Sequence, residues 1–170
     1  LYNETSGEAI FPTPVIGGVG LIKDHTKAMG MAFKSEGETL LLIGGQGNDL
    51  GQSLYLREVH GTEAGNAPQV DLKKEKQNSS FIRDLINDGH ITACHDISDG
   101  GLACAVAEMA LASGAIGATL TTETDETTLF AEDQARYVIT TNDAKTIIAL
   151  CEQESINCQE IGSTQAGTFT

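Results

Sequence analysis

The run His95-Asp96-Ile97-Ser98-Asp99-Gly100-Gly101-Leu102 holds residue types that handle phosphates and hard cations. Apolar residues Ile91 to Cys94 lead into it. A small-residue helical pattern, with Ala103, Val106, Met109 and Ala110 at helical spacing, leads out. The order reads strand, tight acidic glycine turn, helix. Such a turn gathers backbone N–H groups and the positive end of a helix at one spot, which suits a phosphate. Two carboxylates, Asp96 and Asp99, stand beside that spot and would repel a bare phosphate. A phosphate carrying Mg²⁺ is accepted there, because hard cations take carboxylate and phosphate oxygens together. The run therefore reads as half of a metal–phosphate site. A structural reading stands beside it: Ser98 or Asp99 as a helix N-cap, and glycines that only permit the backbone angles of a turn.

Other residues with chemical potential carry less. Glu132-Asp133-Gln134-Ala135-Arg136 joins an acidic turn to a strand, and there Arg136 can grip phosphate oxygens or pair with a carboxylate of its own chain; both readings stand. His95 could act as a general base, yet it adjoins a buried strand end beside two acids, so a structural hydrogen-bonding role is expected. Gly18-Val19-Gly20-Leu21-Ile22-Lys23 begins like a dinucleotide fingerprint but has Lys23 where the third glycine belongs, and no helix follows. Gly44 to Gly47 follows a strand but lacks the Gly-Lys-Ser/Thr of a P-loop. Asp49 is expected to cap the helix that follows it. Cys94, Cys104, Cys151 and Cys158 form no C-x-x-C pair, and the four histidines do not complete a zinc pattern with them. Reduced thiols and a cytoplasmic protein are the simple expectation. No Ser–His–Asp or Cys–His arrangement can be argued from the spacings.

The elements that must position these residues follow from periodicity. Leu1 to Pro14 is an extended lead-in, because Pro12-Thr13-Pro14 cannot be helical. Val15 to Ile22 reads as a buried strand, and Thr39 to Ile43 as a second. Leu50 to Val59 and Asp71 to Asn87 read as helices, the latter with the stripe Phe81, Ile82, Leu85 and Ile86 and a stop at Gly89. Ile91 to Cys94 is a strand, Gly100 to Ser113 a helix capped by Gly114, and Ile116 to Leu120 a strand. Thr121 to Gln134 is an acidic loop anchored by Leu129 and Phe130. Tyr137 to Thr141 is a strand, Ala144 to Ser155 a helix, and Cys158 to Ile161 a closing strand. The pattern predicts an α/β (α+β) domain of three layers, with helices packed on a mixed sheet. At 170 residues and 40% hydrophobic, the chain is long enough for one domain with a real core. Its net charge of −14 and lack of a basic cluster argue against nucleic acid or an anionic membrane as partner. No apolar run approaches spanning length. The chain starts without Met and stops just after a strand, so it is expected to be a piece of a longer polypeptide.

Four segments, in order along the chain, resemble the synthetase component of formylglycinamide ribonucleotide amidotransferase (phosphoribosylformylglycinamidine synthase). They are Tyr2-Asn3-Glu4-Thr5 through Pro12-Thr13-Pro14-Val15-Ile16-Gly17-Gly18-Val19-Gly20, then Asp49 to Leu56, then His95 to Leu102, then Leu129 to Arg136. Two departures from the family pattern are Ala131, where Gly is usual, and Gln52-Ser53-Leu54, where Gly-Ser-Glu is more common. The resemblance implies an aminoimidazole ribonucleotide synthetase-type C-terminal domain over 14–170, with 1–13 the tail of a preceding ATP-binding domain. It implies ATP and Mg²⁺, formylglycinamide ribonucleotide as substrate, and a glutaminase supplying ammonia. ATP would phosphorylate the amide oxygen, and ammonia would displace phosphate to give the amidine. By position, Asp96 and Asp99 would contact metal, Ser98 a nucleotide or phosphate, and Gly100 and Gly101 would offer backbone N–H groups. The catalytic residues would lie in the ATP-binding part, so this chain alone is expected to be inactive. A small phosphate-ester kinase of the same superfamily, like thiamine-monophosphate kinase, and a non-catalytic dimerisation or scaffold domain are the alternative readings.

Overall fold

The computed structural model describes residues 2–10 and 15–167. Pro12-Thr13-Pro14 and the expected boundary at 13/14 fall outside the described residues, apart from the stretches flanking them. A short hairpin pairs β1 (Glu4–Thr5) with β2 (Glu8–Ala9). Ser6 and Gly7 turn it with φ of 55° and 82°, the two left-handed residues that match strand twist in a two-residue loop.

The main sheet takes β3 (Thr39–Ile43), β4 (Ala93–Asp96), β5 (Ile116–Leu120), β6 (Tyr137–Thr141) and β7 (Cys158–Ala166) in the order β4-β6-β3-β7-β5. All four ladders are antiparallel. The α/β class and three layers hold, but the mixed sheet expected from the sequence is an antiparallel one. The reason lies in β3. Its run Leu40-Leu41-Leu42-Ile43 is apolar without alternation, which usually signals a strand covered on both faces as in parallel sheets. Here both faces are covered while the pairing stays antiparallel. Leu40 and Leu42 join Phe33, Leu102, Val106, Met109, Val138 and Ile161 on one face. Leu41 and Ile43 join Ile82, Leu85, Ile139, Ile147 and Cys151 on the other. So α3 (Gly101–Ser113) packs on the first face, and α2 (Leu72–Asp88) and α5 (Ala144–Gln153) on the second.

Several expected boundaries move. Val15 to Ile22 is not a buried strand: Val15, Ile16, Val19 and Leu21 are almost fully exposed, with no strand edge beside them. The helix expected from Leu50 begins later, as α1 (Leu54–His60), and its cap is Ser53, whose hydroxyl accepts from Leu56 N–H. Asp49, expected as that cap, instead accepts from Gly51 N–H at 2.7 Å and shapes the approach loop. The acidic loop holds a fifth helix, α4 (Glu126–Phe130), capped by Asp125 through the N–H groups of Thr127 and Thr128. β7 extends past Ile161 to Ala166 because it pairs with both β3 and β5. Gly89 and Gly114 close α2 and α3 in left-handed conformations, as the sequence predicts. Among the described residues no helix is long and apolar enough to cross a membrane.

Candidate functional site

β4 delivers the acidic turn to an edge of the sheet. Asp96 pairs with Tyr137 in the ladder, so the turn begins opposite the start of β6. Ile97 is buried and its N–H donates to the Arg136 carbonyl at 2.9 Å, which ties the turn to the residue before β6. Asp96, Ser98 and Asp99 stand exposed on either side of that anchor. The chain then enters α3 through two left-handed glycines, Gly100 at φ 82° and Gly101 at φ 71°. A side chain at Gly101 would lie 2.7 Å from the Phe130 backbone, and one at Gly100 would run into the Cys104 side chain. Both positions therefore require glycine on two grounds, angle and space.

The structure sets the two glycines' N–H groups apart from the role expected of them. Gly101 N–H donates to the Ser98 carbonyl at 3.1 Å, closing the turn on itself. Gly100 N–H donates to Glu132 Oε1 at 2.7 Å. The same oxygen accepts from Leu54 N–H, at the start of α1, at 2.8 Å. One internal carboxylate thus takes the place at the helix entrance that we expected an incoming phosphate to take. Neither Ser98 nor Asp99 caps α3 through its side chain; the N-cap position is Gly100, which has no side chain to cap with, so that structural reading also gives way. Asp133 extends the same strategy, with Oδ2 accepting from Asn48 N–H at 2.8 Å and from Asp49 N–H at 3.3 Å. Glu132 was missed in the sequence. Its only signal is that two acids precede a strand with no basic side chain beside them except Arg136.

Arg136 is 2% exposed. Its Nε donates to the Gly45 carbonyl and its Nη1 to the Ala131 carbonyl, each at 3.0 Å. Of the two readings open for it, the carboxylate pair does not form among the described residues. Instead the glycine loop after β3 wraps the guanidinium: a side chain at Gly47 would lie 2.9 Å from Nη1. Burial pulls this guanidinium's pKa down, while the charge of Asp133 works against that. Its third nitrogen, Nη2, is buried with no partner. His95 has the structural role expected of it. Its Nε2 lies 2.9 Å from Glu108 Oε2 and its Nδ1 3.3 Å from Asp96 Oδ1, joining β4 to α3.

Asp96, Ser98, Asp99 and Arg136 line one cleft of about 620 Å³, together with Glu132, Gln52 and Tyr137. Gly100 and Gly101 do not line it. Among the described residues no three His, Cys, Asp or Glu side chains gather closely enough to cage a metal. The two exposed carboxylates that line it, Asp96 and Asp99, do fit Mg²⁺, which is usually held by one or two carboxylates plus phosphate and water. The unpartnered Nη2 of Arg136 fits an oxyanion, which a planar guanidinium grips well. The cleft can therefore seat a phosphate with its metal, provided the phosphate is held by Arg136 and the metal by the aspartates.

Comparison with known proteins bears on what the cleft serves. The chain is 49% identical over 99% of its length to the phosphoribosylformylglycinamidine synthase subunit PurL of Rhodopseudomonas palustris (strain BisB5), covering 24% of that protein. It is 51% identical over 96% of its length to the subunit of the same name from Bradyrhizobium diazoefficiens, covering 23% of it. The chain thus spans about a quarter of the length of these relatives. Among solved structures, Thermotoga maritima PurL complexed with FGAR superposes with a TM-score of 0.68 at 16% identity, over 83% of this chain and 26% of that one. The same protein complexed with ATP gives 0.66 at 14% identity, over 86% and 25%. Thiamine-monophosphate kinase from Stenotrophomonas maltophilia gives 0.55 at 16% identity, over 84% and 52%. These likenesses establish the fold. The family profile for the C-terminal domain of AIR synthase related proteins matches residues 35–169, and the chain belongs to that family.

Proposed function

We propose that this chain is the C-terminal domain of a cytoplasmic synthetase, preceded in the longer polypeptide by an ATP-binding domain whose tail is residues 1–13. That synthetase converts formylglycinamide ribonucleotide, ATP and ammonia to formylglycinamidine ribonucleotide, ADP and phosphate. A glutaminase subunit or domain supplies the ammonia. Identity near 50% to synthase subunits over almost the whole chain supports the reading. The observation that carries it is the cleft lined by Asp96, Ser98, Asp99 and Arg136, with Arg136 Nη2 buried and without a partner.

In the proposed reaction the substrate amide oxygen attacks the γ-phosphorus of ATP and releases ADP. Ammonia then adds to the activated carbon, and phosphate leaves with the former amide oxygen. Within this chain, Arg136 holds a phosphate oxygen, Ser98 donates to another, and Asp96 and Asp99 face the metal that accompanies the phosphate. When bound, Mg²⁺ neutralises phosphate charge. Gly100 and Gly101 set the turn that presents these side chains, and Glu132 holds that turn against the loop before α1.

The test is ammonia-dependent ADP release by the full-length polypeptide, given formylglycinamide ribonucleotide and Mg²⁺. Asp96→Asn and Asp99→Asn should each lower turnover tenfold or more, by about 1.4 kcal/mol or more of barrier, with folding intact. Turnover untouched by both substitutions would reduce the acidic turn to a scaffold. No turnover in the wild type would overturn the synthetase reading.

A further inference from the structure

Glu75 has no role in the assignments above, yet it faces the same cleft. It lies in the first turn of α2, with Asn78 one turn further on the same side. Asn78 is buried, and its Nδ2 donates to the Ala135 carbonyl at 2.8 Å. The Tyr137 hydroxyl donates to Glu75 Oε1 at 3.4 Å. This face of α2 is therefore fastened to the segment that carries Arg136. The second carboxylate oxygen, Glu75 Oε2, is buried with no partner, like Arg136 Nη2. Both residues line the cleft with Asp96, Ser98 and Asp99.

An unpaired acceptor and an unpaired donor in one cleft are complementary demands. A buried polar group left without its bond is unfavourable, more so when charged. A metal ion would satisfy Glu75 alone, and in the reading above the metal that accompanies a phosphate is held by Asp96 and Asp99. A bare phosphate would satisfy Arg136 alone and be repelled by Glu75. A phosphorylated sugar answers both, because its hydroxyl donates a proton to a carboxylate and its phosphate oxygens accept from a guanidinium.

We propose that Glu75 is the specificity-determining residue of this cleft, accepting a hydrogen bond from a ribose hydroxyl of a phosphoribosyl ligand whose phosphate Arg136 holds. The inference rests on the reading of the cleft as a ribonucleotide site. Two ligands of the proposed reaction share that chemistry, the nucleotide and the substrate ribonucleotide. Glu75 turns its unpaired oxygen to the hydroxyl when the ligand enters, and the buried vacancy in its bonding is filled.

The experiment measures binding by calorimetry in the full-length polypeptide that carries this chain. One series uses ADP, 2′-deoxy-ADP and 3′-deoxy-ADP; the other uses ribose 5-phosphate and its 2- and 3-deoxy analogues. The wild type should favour the hydroxylated probe of at least one series by about tenfold or more. Glu75→Ala should bring that preference below about twofold. Glu75→Gln, which keeps an acceptor of the same shape without the charge, should keep a reduced preference, and it serves if the alanine variant does not fold. Preference in the ADP series alone assigns the cleft to the nucleotide, and in the sugar phosphate series alone to the substrate; either supports the proposal. The same preference in wild type and both variants overturns the role of Glu75 and leaves the cleft reading standing. Failure of the wild type to bind any probe overturns both.

Discussion

Arg136 shows how much one residue can hold. Its guanidinium donates to two loop carbonyls, Gly45 after β3 and Ala131 after α4, and so ties the two loops together. Arg136→Met removes both bonds and leaves the carbonyls dry. Urea unfolding should show a loss of about 2–4 kcal/mol, since each unmet buried group costs about 1–3 kcal/mol. Tyr137 gives a second reading at this scale. Burial first, then the charge of Glu75, push its phenol up to about 12. Its folded value lies above its ordinary one, so the unfolded chain releases the proton first on raising pH. The associated stability is present below about pH 10 and is lost as pH rises toward 12. With Tyr2 and Tyr55 replaced by Phe, alkaline absorbance titration should place the Tyr137 midpoint near 12, and Glu75→Ala should move it down. A midpoint unmoved by that change would separate Glu75 from Tyr137.

At the scale of elements, the short α4 and the two acids after it organise the cleft. Phe130 stacks on Tyr55 of α1 at 4.6 Å, and its backbone presses on Gly101. Glu132 then joins the start of α1 to the entrance of α3 through one oxygen. Glu132→Ala leaves two N–H groups without that acceptor and should cost about 2 kcal/mol or more. Hydrogen exchange at Leu54 and Gly100 should quicken, while amides in the middle of β3 keep their protection. Glu132→Gln retains an acceptor and should cost clearly less. Equal exchange in wild type and both variants would show that the two helix entrances are held by packing alone. A further sign of local demand is Gln52, which carries φ 60° and donates from Nε2 to the Gly65 carbonyl at 3.0 Å. That bond offsets part of the cost of a left-handed side-chain residue.

For the whole molecule, the cleft gathers carboxylates, a serine, a tyrosine and a buried arginine. His95 is bound to Glu108 and Asp96. No group in the cleft is set up as a nucleophile with its base. On the proposal that the ATP-binding domain lies outside this chain, the isolated 170 residues should show no ammonia-dependent ATP turnover with formylglycinamide ribonucleotide; turnover above the uncatalysed rate would place the reacting centre within this domain. The apolar residues from Val15 to Ile22 are exposed rather than folded into the core, although their composition alone marks a strand. A strand needs a partner edge, and this stretch is in register with neither edge strand, β4 or β5.

The sequence alone settled what depends on neighbours along the chain. The strand–turn–helix order around His95 to Leu102, the span of β5 and β6, the glycine ends of α2 and α3, and the three-layer class all follow from local periodicity and turn chemistry. The tertiary structure decided what depends on residues far apart. Antiparallel pairing of β3 with both β6 and β7 was illegible, because a continuous apolar run reports two covered faces and says nothing of strand direction. The partner of the helix-entrance N–H groups was illegible for the same kind of reason. Gly100 and Glu132 are 32 positions apart, and only folding brings a carboxylate to the place that the local motif reserves for an anion.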